Sequence, residues 1–284
     1  MYAHVNGIDL FFDIEGSGFE VTDTGLVEKP VIFIHHGGPG NDHSYFRPWL
    51  DSISEIAQIV FIDQRGSGRS SKAPEETYTI EQNADDAEAL RQYLGLGKII
   101  FLGHSYGGMV AQVFATRHPE SLSKLILSNT TPSAQFWEEA QAMAKKMATP
   151  DQLEVLNDLF EGTISSQEEF DAWWAKCQPL YFHNPDQSII DAIGARQKGA
   201  FEVANYMMET QIPLYDVRDK LKDFTMPTLV LASRYDWVTP PTQSDQIVAG
   251  LPSAEYVTFE ESGHMPFIEE TELYLDTVSK FIRS

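Results

Sequence analysis

Five apolar, mostly β-branched or leucine-rich runs recur along the chain, at 31–34, 59–62, 99–102, 125–127 and 229–231. None alternates with polar residues as a half-exposed strand would, so each predicts a strand buried on both faces of a parallel sheet. Stretches with helical spacing lie between and after them: 80–94, rich in Ala, Glu and Leu with acidic residues early, then 106–117, and 271–282 closing the chain. Strands alternating with helices predict an α/β fold, a mostly parallel central sheet flanked by helices. At the front, 2–5 and 8–12 flank Asn6-Gly7, a pair that accepts φ > 0 at both positions and favours a two-residue hairpin turn. An antiparallel edge hairpin is expected there, followed by a long polar loop over 16–30 and, much later, a strand over 256–259.

From Pro132 to about Lys222 the pattern changes to helix-prone segments (136–147, 152–160, 167–177) with no strong strand run. The chain therefore divides into a core in two parts, 1–131 and 223–284, and a helical cap inserted over 132–222. The insertion is dense in aromatics, among them Phe136, Trp137, Phe160, Phe170, Trp173, Trp174, Tyr181 and Tyr206. Most are expected to form its own core and its seam with the sheet, and the rest to line a pocket.

Composition narrows the function. At 284 residues and 42% hydrophobic, the chain can bury one large α/β domain with an insertion. Its first ten residues carry His4, Asn6 and Asp9 rather than a basic, apolar leader, and no run reaches the length of a membrane helix, so a cytoplasmic chain away from membranes is expected. Cys177 is the single cysteine, which excludes an internal disulfide and a thiolate-rich metal site and predicts a buried small hydrophobe. The net charge of −22 argues against nucleic acid and anionic membrane partners. Residues 133–222 hold 15 acidic and 8 basic side chains, net −7, which is their proportional share. The acidity is thus spread for solubility rather than aimed at a cationic ligand. No cluster of His, Cys, Asp and Glu has zinc-ligand spacing, and neither metal nor cofactor is expected.

The candidate chemistry begins where the run 99–102 leads into Gly103-His104-Ser105-Tyr106-Gly107-Gly108. A Gly-x-Ser-x-Gly pattern between strand and helix reads as a nucleophile elbow, with Ser105 Oγ standing above the sheet. Gly103 and Gly107 are expected to supply close approach and backbone freedom at that sharp turn. A serine hydroxyl needs a base within reach and a carboxylate to fix the base's tautomer, in the chain order Ser, Asp, His for this elbow. Asp236 follows the strand run 228–233, and His264 follows 256–259, so these two are the candidates, with Asp216 and Asp219 as reserve carboxylates. His104 is expected to pack away from the serine. His35-His36-Gly37-Gly38-Pro39-Gly40, directly after the run 31–34, would supply oxyanion donors. The Gly38 and Tyr106 amides are assigned that role, with Gly37 as the alternative to Gly38. Asp63-Gln64-Arg65-Gly66-Ser67-Gly68-Arg69-Ser70 lacks the Lys-Ser/Thr ending of a phosphate loop and reads as a turn that orders the site wall.

On these residues the chain resembles the α/β-hydrolase superfamily over essentially its whole length. The segments 36–40, 63–70 and 103–108 look like the proline iminopeptidase group, including tricorn-interacting aminopeptidases. The resemblance implies a helical cap and cofactor-free removal of an N-terminal residue, often proline, from short peptides. It also implies that cap glutamates hold the substrate ammonium. Asn205 stands where such a glutamate is expected, Glu202 and Glu209 are near it in sequence, and Trp237 follows Asp236; with Tyr206 these are the candidate substrate-binding residues. The leading expectation is a serine hydrolase working through an acyl-enzyme, an aminopeptidase on small substrates first. A carboxylesterase or lactonase on small hydrophobic esters is the alternative, and a non-catalytic small-molecule binder is the reading of another class.

Overall fold

The computed structural model describes residues 1–161 and 164–284, with the backbone alone over 157–161. Among the described residues ten strands run in chain order as β1 (Tyr2–Val5), β2 (Ile8–Glu15), β3 (Phe19–Thr22), β4 (Gly25–Glu28), β5 (Val31–His35), β6 (Gln58–Ile62), β7 (Ile99–His104), β8 (Leu122–Ser128), β9 (Thr228–Ser233) and β10 (Glu255–Phe259). Eight form one sheet in the order β1-β2-β6-β5-β7-β8-β9-β10. The pairs from β6 through β10 are parallel, and β1 and β2 add an antiparallel edge. The Asn6-Gly7 turn of that edge takes φ of 47° and 76°, the left-handed values a two-residue hairpin requires.

The helices are α1 (Ile80–Tyr93), α2 (Tyr106–Arg117), α3 (Phe136–Met147), α4 (Pro150–Glu161), α5 (Gln167–Cys177), α6 (Gln187–Gly194), α7 (Phe201–Thr210), α8 (Pro241–Gly250), α9 (Pro266–Glu269) and α10 (Thr271–Arg283). Burial on both faces explains the unbroken apolar runs. Phe33, Val60 and Phe101 pack with Leu90 of α1 and Phe114 of α2 on one side of the sheet. Their neighbours Ile34, Phe61 and Leu102 pack with Tyr274 and Val278 of α10 on the other. Alternate residues of one strand thus serve different cores.

Helices α3 to α7 form the insertion between β8 and β9. Its two ends lie side by side: Val217 N donates to Pro132 O (2.9 Å) and Ala134 N to Tyr215 O (2.8 Å). A third apolar cluster of Leu156, Phe170, Trp173, Cys177 and Leu180 fills it, completed from the main body by Trp237. Phe160, counted among its aromatics, lies outside the described side chains. The segment 16–30 is not a plain loop, because β3 and β4 pair as an antiparallel hairpin off the main sheet. Four-residue strands with exposed Phe19, Val21 and Leu26 give too little alternation for the sequence to show them.

Candidate functional site

Strand β7 ends in the middle of the sheet, and the chain turns into α2 at Ser105, whose φ of 57° and ψ of −125° are rare for a residue with a side chain. The turn is held by Ser105 N donating to Ser128 O (3.0 Å) and Thr130 Oγ1 donating to Ser105 O (2.7 Å). A Cβ on Gly103 would lie 2.2 Å from Gly107 O, and one on Gly107 would lie 2.3 Å from His35 O. The flanking glycines therefore serve close approach. Neither has positive φ, so the backbone freedom expected of them is not used, and the strained conformation falls on the serine itself.

The ends of β9 and β10 carry the next two groups. Asp236 is fully buried, and its Oδ2 accepts from His264 Nδ1 (2.8 Å), Asn129 Nδ2 (2.9 Å) and Thr239 Oγ1 (2.9 Å). Its Oδ1 accepts from the Val238 and Thr239 amides (2.9 and 3.0 Å). Burial pushes this carboxyl up, but the His264 charge and the hydrogen bonds from His264, Asn129 and Thr239 outweigh it and hold Asp236 below the usual range. With Nδ1 on Asp236, His264 leaves Nε2 without a hydrogen bond among the described residues, and His264 and Ser105 line one cavity. No hydrogen bond joins Ser105 Oγ to His264 Nε2 here. The reserve carboxylates lie elsewhere: Asp216 pairs with Arg218 on the exposed surface, and Asp219 is exposed.

The loop after β5 is fixed by its neighbours. His36 Nε2 accepts from Gln64 N (3.1 Å), so its Nδ1 donates to Gly37 O (2.7 Å). Asp63 accepts from the His43 amide (3.0 Å) and ring (2.6 Å) and from the Arg69 amide (2.9 Å). The segment 63–70 thus orders the loop that faces the serine. Gly37 N donates to Tyr45 Oη (2.6 Å). Gly38, at φ of 123°, directs its N–H to no group among the described residues, and Tyr106 is the first residue of α2, whose N–H has no partner within the helix. Gly38, Ser105 and Tyr106 line the same cavity.

That cavity encloses about 790 Å³, counting its open mouth, between the sheet and the insertion. Its roof is Phe136, Trp137, Phe170, Trp173 and Trp174 of the insertion, joined by Trp237 of the main body, and among the described residues no carboxylate, lysine or arginine lines it. Asp171 lines only a neighbouring groove that shares Asn41, Phe170 and Trp174. Of the substrate-binding candidates, Trp237 lines the cavity and the other four do not. Ala204 and Met208 are the α7 residues that line it, four apart on one stripe. Glu202, Asn205, Tyr206 and Glu209 fall off that stripe. Glu202 is exposed and paired with Lys72, and Glu209 is exposed. Asn205 Nδ2 donates to Ile164 O (3.1 Å), and Tyr206 packs edge-on against Tyr78.

The insertion is hydrogen-bonded to three loops of the site, those after β5, β9 and β10. Ala200 N donates to Gly40 O (2.7 Å), Trp237 Nε1 to Leu180 O (2.9 Å) and His264 N to Tyr181 O (2.7 Å). Three further polar contributors escape the sequence reading: Asn129, Tyr45 and His104. Asn129 follows a buried strand end beside β9, a signal that was legible, whereas nothing in the sequence ties Tyr45 to the elbow. His104 does more than pack, since both its ring nitrogens are hydrogen-bonded. Among the described residues no group of three His, Cys, Asp or Glu is arranged to hold a metal, and no helix is long and apolar enough to cross a membrane.

Residues 30–271 match the family described as alpha/beta hydrolase fold. The chain is 32% identical over 281 residues to the proline iminopeptidase of Lactobacillus helveticus strain DPC 4571, covering 90% of each. Among solved structures it is similar to the enol-lactonase from Burkholderia xenovorans LB400, with a TM-score of 0.78 and 24% identity over 100% of both chains. The proline iminopeptidase from Mycobacterium smegmatis gives a TM-score of 0.77 and 22% identity, covering 99% of this chain and 96% of that one. At such identities the two structures speak for the fold alone.

Proposed function

The chain belongs to the alpha/beta hydrolase family and is proline iminopeptidase-like, and on that premise we propose that it is a serine hydrolase of uncharged, apolar acyl substrates, esters or lactones. In this reading Ser105 Oγ attacks the carbonyl and His264 Nε2 takes the proton, then returns it to the leaving group. Asp236 holds the ring in the tautomer that makes this possible. The Gly38 and Tyr106 amides receive the oxyanion. Gly37 is set aside, because its N–H is engaged by Tyr45. Water releases the acyl-enzyme, and the insertion over 132–222 acts as the cap.

One observation carries the substrate class: the described lining holds no carboxylate, while Glu202 and Glu209 sit on the outside. Desolvating an ammonium without a partner costs several kcal/mol. Cation–π contact with the roof would offset part of this, about 2 kcal/mol or more, without neutralising the charge. A free N-terminus is therefore a poor ligand, and an aliphatic or aromatic acyl group a good one. The 32% identity to a proline iminopeptidase favours a second reading, an aminopeptidase on short peptides. Measuring kcat/KM for a prolyl anilide, its N-acetylated twin and a short-chain ester, beside Ser105→Ala, separates them. Fast ester turnover with inert anilides is expected; preference for the free-amine anilide would establish the second reading.

A further inference from the structure

Behind Ser105, two buried side chains join the loop after β5 to the loop after β10. Gly37 N donates to Tyr45 Oη (2.6 Å), Tyr45 Oη is 2.8 Å from His104 Nδ1, and His104 Nε2 is 2.8 Å from His264 O. The direction of every bond is determined. A carbonyl can only accept, so His104 Nε2 carries the proton. Burial first, and the neighbouring His264 second, hold the His104 ring down to about 3, so it is neutral and its Nδ1 is a lone pair. Tyr45 must then donate to Nδ1 while accepting from Gly37, and burial, which pushes its phenol up, keeps that proton on it.

We propose that Tyr45 and His104 are positioning residues of the hydrolytic site, a one-directional hydrogen-bond chain that fixes the oxyanion loop relative to the catalytic histidine. The inference rests on the proposed roles of Gly38 and His264. Capturing the Gly37 N–H orients the His36–Gly37 peptide, one unit before the Gly38 N–H that is left for the oxyanion. At the other end the chain holds the His264 carbonyl, while Tyr181 O holds the His264 amide. The backbone that carries the base is thus gripped on both sides. A misplacement of either loop by an ångström lowers the rate without altering what the apolar roof binds.

The test joins a tautomer measurement to a rescue. Nitrogen-15 NMR of the imidazole rings should show His104 neutral with its proton on Nε2 from pH 5 to 8. Tyr45→Phe and His104→Met should each lower kcat roughly 10- to 100-fold with KM within about twofold. His104→Gln, whose single amide offers an acceptor to Tyr45 and a donor to His264 O, should stay within about threefold of wild type. The double variant Tyr45→Phe/His104→Met should be little worse than the worse single, because either change breaks one chain. Circular dichroism confirms that each variant is folded. An Nδ1-protonated ring, a His104→Gln enzyme as slow as His104→Met, or multiplying single effects would overturn the proposal. Labelling of Ser105 by a fluorophosphonate reports on the hydrolase reading separately: an inert serine beside an Nε2-protonated His104 would remove the nucleophile and leave the hydrogen-bond chain standing.

Discussion

The floor and the roof of the cavity are built differently. On the sheet side, Asp236, His36, His104, Tyr45 and Asp63 are buried polar groups whose hydrogen bonds hold one another in place. What they leave unengaged is Ser105 Oγ and the Gly38 and Tyr106 amides, the groups proposed to react. On the insertion side the surface is aromatic, and the Trp173 Nε1 has no partner among the described residues. A hydrogen-bonded polar network in low dielectric fixes the geometry of the groups it joins. An apolar wall specifies only size and lack of charge, and a pocket of that kind discriminates weakly between similar acyl groups. The contrast teaches that, in the proposed reading, reaction type and substrate class are set by separate parts of this molecule.

Breaking the floor should have the largest effect. Ser105→Ala is expected to lower kcat about 10⁶-fold, and Asp236→Ala about 10⁴-fold, both read with the best ester substrate. A residual rate within tenfold of wild type in either variant would mean that the chemistry runs elsewhere.

Converting the roof should come next. Met208→Glu adds a carboxylate on the α7 stripe that lines the cavity. It should raise the ratio of free-amine to N-acetylated substrate turnover by roughly 10- to 100-fold. An unchanged ratio would show that charge at the roof does not govern selection.

The floor also makes an acid-side prediction. The His104 ring is held at about 3, far below the value it has in the unfolded chain. Between there and about 6.5 the unfolded chain binds the extra proton, so the ring's contribution is whole above about 6.5 and is lost as pH falls. Urea titrations from pH 7 to 4.5 should show stability falling, and His104→Gln should shallow that slope by up to about 1.4 kcal/mol per pH unit. An identical slope would mean that the ring is protonated in the native state. The smallest effect belongs to the exposed acids: Glu202→Gln and Glu209→Gln should alter kcat/KM by no more than about twofold.

The same division decided what could be read from the sequence. Strands β5 to β9 and helix α2 were legible because burial on both faces writes itself as continuous apolar runs, and an elbow writes itself as glycines at fixed offsets. Asp236 and His264 were legible as polar residues just past strand ends, and they lie 2.8 Å apart. The β3–β4 hairpin was not, because its strands are too short to show a period. Neither was the facing of α7: proximity in sequence suggested Glu202, Asn205, Tyr206 and Glu209, whereas the 3.6-residue repeat turns Ala204 and Met208 inward. Tyr45 was invisible because its partners are Gly37 and His104, the latter 59 residues away.

The most direct test of the account uses two esters of one alcohol, that of proline and that of N-acetylproline, which differ at the nitrogen and share a leaving group. At a pH where the free amine is protonated, the account predicts that kcat/KM for the N-acetyl ester is higher by at least about tenfold, the ammonium having no carboxylate to meet. A preference for the free-amine ester would contradict it and would make the chain an aminopeptidase in substrate as well as in likeness.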